Sequence, residues 1–173
     1  MIKGDYLNLT KGQLKSKDGI DLYSRKDFDG MHTAGRVAAE ILDEIVTSVF
    51  PGQTTGKIDS IIEELIRDKN VESGTIGYRG YQHASCISVN HVVCHGIPSD
   101  KILKEGDILN IDVTVIKDGW YGDTSRMYVA GQPSRKAARL IQVTHDALFK
   151  GIEAVKPGKT FGDIGHAIQT YVE

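Results

Sequence analysis

Apolar residues recur at helical spacing through Phe28, Met31, Ala34, Ala38, Ile41, Leu42, Ile45 and Val49. A stripe of that kind predicts a helix with one buried face. Ser24 stands where its hydroxyl caps the first turn, Asp27 is an acid favourable at that end, and Pro51-Gly52 stops the run. Thr54 or Thr55 then caps a second helix, with Ile58, Ile61, Ile62, Leu65 and Ile66 on one face, ending in the polar stretch 67–70. Residues 1–24 are polar and mixed in charge, and read as an extended lead-in.

The period changes after residue 70. Segments 84–94, 107–116 and 119–130 are rich in β-branched and aromatic residues and predict strands. Beyond Gly131 and Pro133 the helical period returns. Ser134 caps a helix carrying Ala137, Leu140, Ile141, Leu148, Ile152 and Val155, which Pro157-Gly158 ends. Thr160 opens a last helix with Phe161, Ile164, Ile168 and Tyr171. The fold class expected from this order is α/β, with helices packed on a sheet.

An internal repeat runs through the helical parts. Pro51, Gly52, Thr54, Gly56 and Ile62 match Pro157, Gly158, Thr160, Gly162 and Ile168 at one offset of 106 residues. Upstream, Val37, Leu42 and Val46 match Val143, Leu148 and Ile152 in the same register. Helix, Pro-Gly and capped helix is common punctuation, but a gapless match of this length favours duplication. The first unit continues into strands, and the second stops at its helices. The expectation is a second repeat cut short, with helices 134–155 and 160–173 exposing apolar surface that favours self-association.

Composition narrows the setting. Hydrophobic residues make up 40% of the 173 and charged residues 25%, the balance of a soluble globular domain. A net charge of −2 offers no bulk attraction to nucleic acid or to a membrane surface. No apolar run is long enough to span a bilayer, and the N-terminus has no apolar segment typical of a signal peptide. The two cysteines, Cys86 and Cys94, read as buried thiols in a reducing, cytoplasmic setting, not as a disulfide.

The chemistry lies in the strand block. Asp118-Gly119 predicts a two-residue hairpin turn, which sets Thr114 opposite Asp123 and Asp112 opposite Ser125. Alternation then puts Asn110, Asp112, Thr114, Ile116, Tyr121, Asp123 and Ser125 on one face, and Leu109, Ile111, Val113 and Val115 on the other. Asp112 and Asp123 become diagonal neighbours, roughly 7–8 Å apart at Cα. Two carboxylates so placed repel unless neutralised, and a divalent metal would neutralise them. The alternative is a solvated outer face, against which stand Ile116 and Tyr121. His95, read as following directly after the strand that ends at Cys94, is held by the turn residues Gly96 and Pro98. The other histidines, His83 among them, read as ordinary surface or hydrogen-bonded residues.

Several segments together carry a resemblance: Tyr78-Arg-Gly-Tyr81, Cys86-Ile-Ser-Val-Asn90, Val93-Cys-His-Gly-Ile-Pro98, Gly106 to Val115, and Gly119 to Met127. From about residue 26 onward the chain resembles the type I, bacterial-type methionine aminopeptidases. The resemblance implies a pita-bread fold, two similar halves closing around a dinuclear metal centre. It implies that Asp112 and Asp123 are metal ligands, Asp123 bridging, and that His95 holds the substrate amide or stabilises its tetrahedral intermediate. Tyr78, Tyr81 and Cys86 match the lining of the methionine pocket. Departures are Gln82-His83 in place of a usual proline, and Thr75 where a cysteine is often found.

The resemblance implies residues 1–24 as an N-terminal extension and 25–173 as an incomplete catalytic domain, with a first half 25–130 and the helical start of a second half 131–173. It also implies a histidine and two glutamates from strands beyond residue 173, two divalent ions (Co, Mn, Fe or Zn), and nascent polypeptides with a small second residue, met near the ribosome, as substrates. The full-length enzyme is expected to be a monomer. The alternative is a catalytically incomplete piece of the fold acting as a binding or assembly module.

Overall fold

The computed structural model describes residues 14–173. Of the lead-in, residues 1–13 lie outside the described residues. The rest forms a small antiparallel ribbon, β1 (Leu14–Lys15) and β2 (Asp21–Leu22). Helix α1 (Arg25–Glu44) starts on a reciprocal cap: Ser24 Oγ accepts from Asp27 N, and the Asp27 carboxylate accepts from Ser24 N at 2.8 Å. One 3-10 turn (Ile45–Ser48) leads to the Pro-Gly break. Thr54 then caps α2 (Thr55–Asp68), accepting from Lys57 N at 3.1 Å.

The sheet holds β3 (Glu72–Ser73), β4 (Ser85–Val89), β5 (Ile108–Lys117) and β6 (Trp120–Val129), each antiparallel to the central β5. β6 runs along one edge of β5, so β3 and β4 share the other, opposite Val115–Ile116 and Leu109–Val113. The hairpin register is the one predicted, from Lys117 opposite Trp120 to Asp112 opposite Ser125. Leu109, Ile111, Val113 and Val115 are fully buried with Ile41, Leu42, Ile58 and Ile62 from the two helices. The helices therefore cover one face of the sheet, and the face bearing Asp112 is left open.

Close approach of α1 to the sheet selects small residues. A Cβ on Gly122 of β6 would lie 2.2 Å from the carbonyl oxygen of Ala34. Gly122→Ala is therefore expected to destabilise the fold by about 1–3 kcal/mol, because the obstacle is backbone that cannot rotate away. A thermal melt within 1 °C of the parent would contradict this packing. The same approach corrects the predicted helical stripe. Gly30 faces Trp120, so the sheet-facing line runs through Asp27, Gly30 and Ala34, while Phe28 (60% exposed) and Met31 (49%) lie off it.

Tyr128 fastens the far end, its hydroxyl donating to the Leu42 carbonyl at 2.5 Å; burial pushes its phenol up to about 12.

Helices α3 (Arg135–Ala154) and α4 (Phe161–Val172) pack on each other, with Gly151 receiving Ile168. Their caps repeat those of the first pair: Thr160 accepts from Asp163 N as Thr54 does from Lys57 N, and Gly52 and Gly158 both take positive φ. Burial does not repeat. Leu42 is 1% exposed and its match Leu148 is 56%, while Phe161 is 93% exposed. No described helix is long and apolar enough to cross a membrane.

Candidate active site

The open face of β5 and β6 brings the two predicted carboxylates together. Asp112 is half-buried and Asp123 exposed, and their carboxyl groups are close enough to share a hydrogen bond when one is protonated. Partial burial holds the Asp112 carboxyl above its ordinary range. The charge of Asp123 and the shared hydrogen bond push the same way, and nearby His95 pulls against them. Tyr121, expected to shield this face, is 56% exposed.

His95 reaches the pair by a different route from the one read in the sequence. The strand predicted over 84–94 ends at Val89, and His95 lies in a loop with a φ of 55°. Asn90 ends the strand: it takes a φ of 54°, and its side chain accepts from Ile108 N and donates to Asp107. The β-branched Val92 and Val93 suggested a longer strand, but they are exposed.

After His95 the chain turns back onto β4. Gly96 N donates to Ser88 Oγ at 3.0 Å, and Gly96 O accepts from Ile87 N at 2.8 Å. A Cβ at Gly96 would lie 2.2 Å from the Ile87 carbonyl oxygen, so only glycine allows this docking. The imidazole is thus presented from the free edge of β4, next to Asp112.

Cys86 is the register partner of Asp112 and shares its face. Its thiol, half-buried, lies 3.6 Å from the Tyr81 hydroxyl, which donates to the Ser85 carbonyl at 2.8 Å. Burial raises both the thiol and the phenol above their usual ranges. Cys94 is exposed, which corrects the expectation of two buried thiols. Tyr78 sits in a 3-10 turn (Tyr78–Gly80), 65% exposed, with the Arg79 guanidinium 5.5 Å from its ring centroid. The fold therefore gathers Asp112, Asp123, His95, Cys86 and Tyr81, with Tyr78 on the outer turn of the same loop.

A divalent ion suits this pair, since two facing carboxylates are hard oxygen donors whose repulsion it would cancel. No group of three or more His, Cys, Asp or Glu side chains able to hold a metal occurs among the described residues. Asp112 and Asp123 thus fit as part of a ligand set. One further group escaped the sequence reading: buried Asp59, bonded to His83 and Ser85. Its signal was a carboxylate on the apolar stripe of α2, between Ile58 and Ile62.

Comparison with known proteins places this geometry. The model of metallopeptidase family M24 matches residues 29–173. The methionine aminopeptidase of Rickettsia prowazekii (strain Madrid E) is 54% identical over 154 residues, 89% of this chain and 60% of that protein. That of Escherichia coli (strain K12) is 47% identical over 156 residues, again 89% of this chain and 59% of the relative. The chain thus spans about 60% of the length of these relatives.

Among solved structures, the Rickettsia prowazekii methionine aminopeptidase superposes with a TM-score of 0.85 at 54% identity, covering 87% of this chain and 61% of that one. A prolidase from Pyrococcus horikoshii OT3, at 20% identity and a TM-score of 0.76, shares the fold over 86% of this chain and 42% of its own. The architecture is the pita-bread α/β fold. From the family match and the shared fold, the chain belongs to metallopeptidase family M24.

Proposed function

We propose that the whole protein is a methionine aminopeptidase. It removes the N-terminal methionine from newly made polypeptides with a small second residue, in the cytoplasm and near the ribosome exit. One observation carries the reading: a carboxylate pair and an imidazole converge on an open sheet face beside Cys86 and Tyr81. The 54% identity to a methionine aminopeptidase supports the same choice. Residues 25–130 form the first half of the catalytic domain, 131–173 the helical start of the second, and 1–24 an extension.

In this reading Asp112 and Asp123 would hold divalent metal together with donors from the rest of the protein. Oxygen-rich ligation suits Mn, Fe or Co better than a thiol-rich zinc site does. When bound, such ions polarise a carbonyl and lower the pKa of water. The chain's own residues position the substrate. His95, fixed by the docked Gly96, accepts from the substrate amide N–H or donates to the carbonyl oxygen as negative charge grows there. Tyr81 and Cys86, with Tyr78 at the rim, receive the methionine side chain, whose sulfur packs favourably against aromatic edges.

His95→Ala in the whole protein is expected to lower kcat for a Met-Ala peptide by about 10²-fold, with a smaller change in KM. Steady-state kinetics would show this, and an unchanged kcat would remove His95 from the chemistry.

A further inference from the structure

A buried acid stands behind the pocket wall and has no part in the chemistry above. Asp59 of α2 is 6% exposed and accepts from Ser85 N at 2.9 Å, Ser85 Oγ at 2.7 Å and His83 Nδ1 at 3.0 Å. A carboxylate so far removed from water persists where its lone pairs are occupied. Here every donor comes from the short segment 83–85.

The same segment holds Tyr81. The His83 ring meets the Tyr81 ring edge to face, centroids 5.5 Å apart at 65°. The Tyr81 hydroxyl bonds to Ser85 O and lies against the Cys86 thiol. Thr75 Oγ1 donates to the His83 carbonyl at 2.8 Å, tying the start of the loop to its end. Tyr81 is therefore fixed at its hydroxyl through Ser85 and along its ring by His83, and both supports hang on Asp59.

We propose that His83, braced by Asp59, is a positioning residue that sets the Tyr81–Cys86 wall of the methionine pocket. The inference rests on the pocket reading given above. The bond from Nδ1 to the carboxylate fixes the rotation of the imidazole, and an imidazole that cannot turn presents one constant edge to Tyr81. Without it the phenol ring gains rotamers, and displacement of a binding group by about 1 Å is enough to weaken substrate positioning.

The test uses the whole protein with His83→Ala and His83→Asn. Alanine removes both the bond and the ring. Asparagine keeps a side-chain donor for Asp59 but no ring, so it should fall between alanine and the parent. His83 is partly exposed, so both variants are expected to fold, and a melting curve checks this. The first readout is alkylation of Cys86 by iodoacetamide, followed by mass spectrometry of its peptide. His83→Ala is expected to speed it by about 5-fold as the Tyr81 cover loosens. The second is steady-state cleavage of a Met-Ala peptide, where KM should rise by about 5-fold with kcat within about 2-fold of the parent. A merely structural role would instead lower kcat through the active fraction and leave KM alone.

Unchanged Cys86 alkylation in His83→Ala overturns the brace, whatever the enzyme does. Faster alkylation with KM unchanged overturns the pocket reading, since the wall would then move without affecting substrate.

Discussion

Asp123→Ala in the whole protein is expected to lower kcat/KM for a Met-Ala peptide by about 10³-fold or more while the fold stays intact. The two halves of that expectation have separate causes. Asp123 is exposed, points from the open face of β6, and stands opposite half-buried Thr114, so its removal costs the core nothing. Surface substitutions of this kind change stability by about 0.5 kcal/mol or less. If Asp123 is a metal ligand as proposed, the loss of activity comes from the carboxylate alone. Peptide cleavage followed by chromatography, beside a thermal melt, reads both. Activity within 10-fold of the parent in a folded variant would show that Asp123 does not hold the metal.

The second large effect is a reversal of stability at Asp112. Its carboxyl is held above the ordinary range, first by burial and then by Asp123. A carboxyl raised in the folded state contributes stability that is fully present below its unfolded pKa and is lost as pH rises through the folded value. Above the carboxylate range the metal-free protein therefore carries unrelieved repulsion. Asp112→Asn removes the charge and keeps the shape, so the metal-free variant should be more stable than the metal-free parent at pH 7. The gain is about 0.5–1 kcal/mol once discounted for a group still half in water. The same variant should lose most of the stabilisation that saturating Mn²⁺ gives the parent, about 2–3 kcal/mol at 100 times its dissociation constant. Melts with and without Mn²⁺ decide it. A variant less stable than the metal-free parent, or equally stabilised by Mn²⁺, would contradict the electrostatic account.

Much of the scaffold was legible because its signals are local. Ser24, Ser134 and Thr160 cap the helices predicted for them, and of the candidates Thr54 and Thr55 it is Thr54 that caps α2, since each needs only a hydroxyl three residues before a free N–H. The Asp118-Gly119 turn fixed the hairpin register, and with it the face shared by Asp112 and Asp123. Contacts that depend on distant chain were not legible. The strand read as 84–94 stops at Val89 because Asn90 bonds across to Asp107 and Ile108, which β-propensity cannot anticipate. Phe28 and Met31 follow helical period but miss the sheet, because Gly30 meets Trp120 there. His83 looked ordinary, since its partner Asp59 lies 24 residues away on another element.

Metal-dependent removal of N-terminal methionine at this face can be tested directly on the whole protein. The purified whole protein is incubated with paired peptides beginning Met-Ala and Leu-Ala, once with Mn²⁺ and once after chelation, and the free amino acids are quantified. Release of methionine should require the divalent ion, with the Leu-Ala peptide left intact. Methionine release unaffected by chelation, or no release from Met-Ala with the ion present, would contradict it.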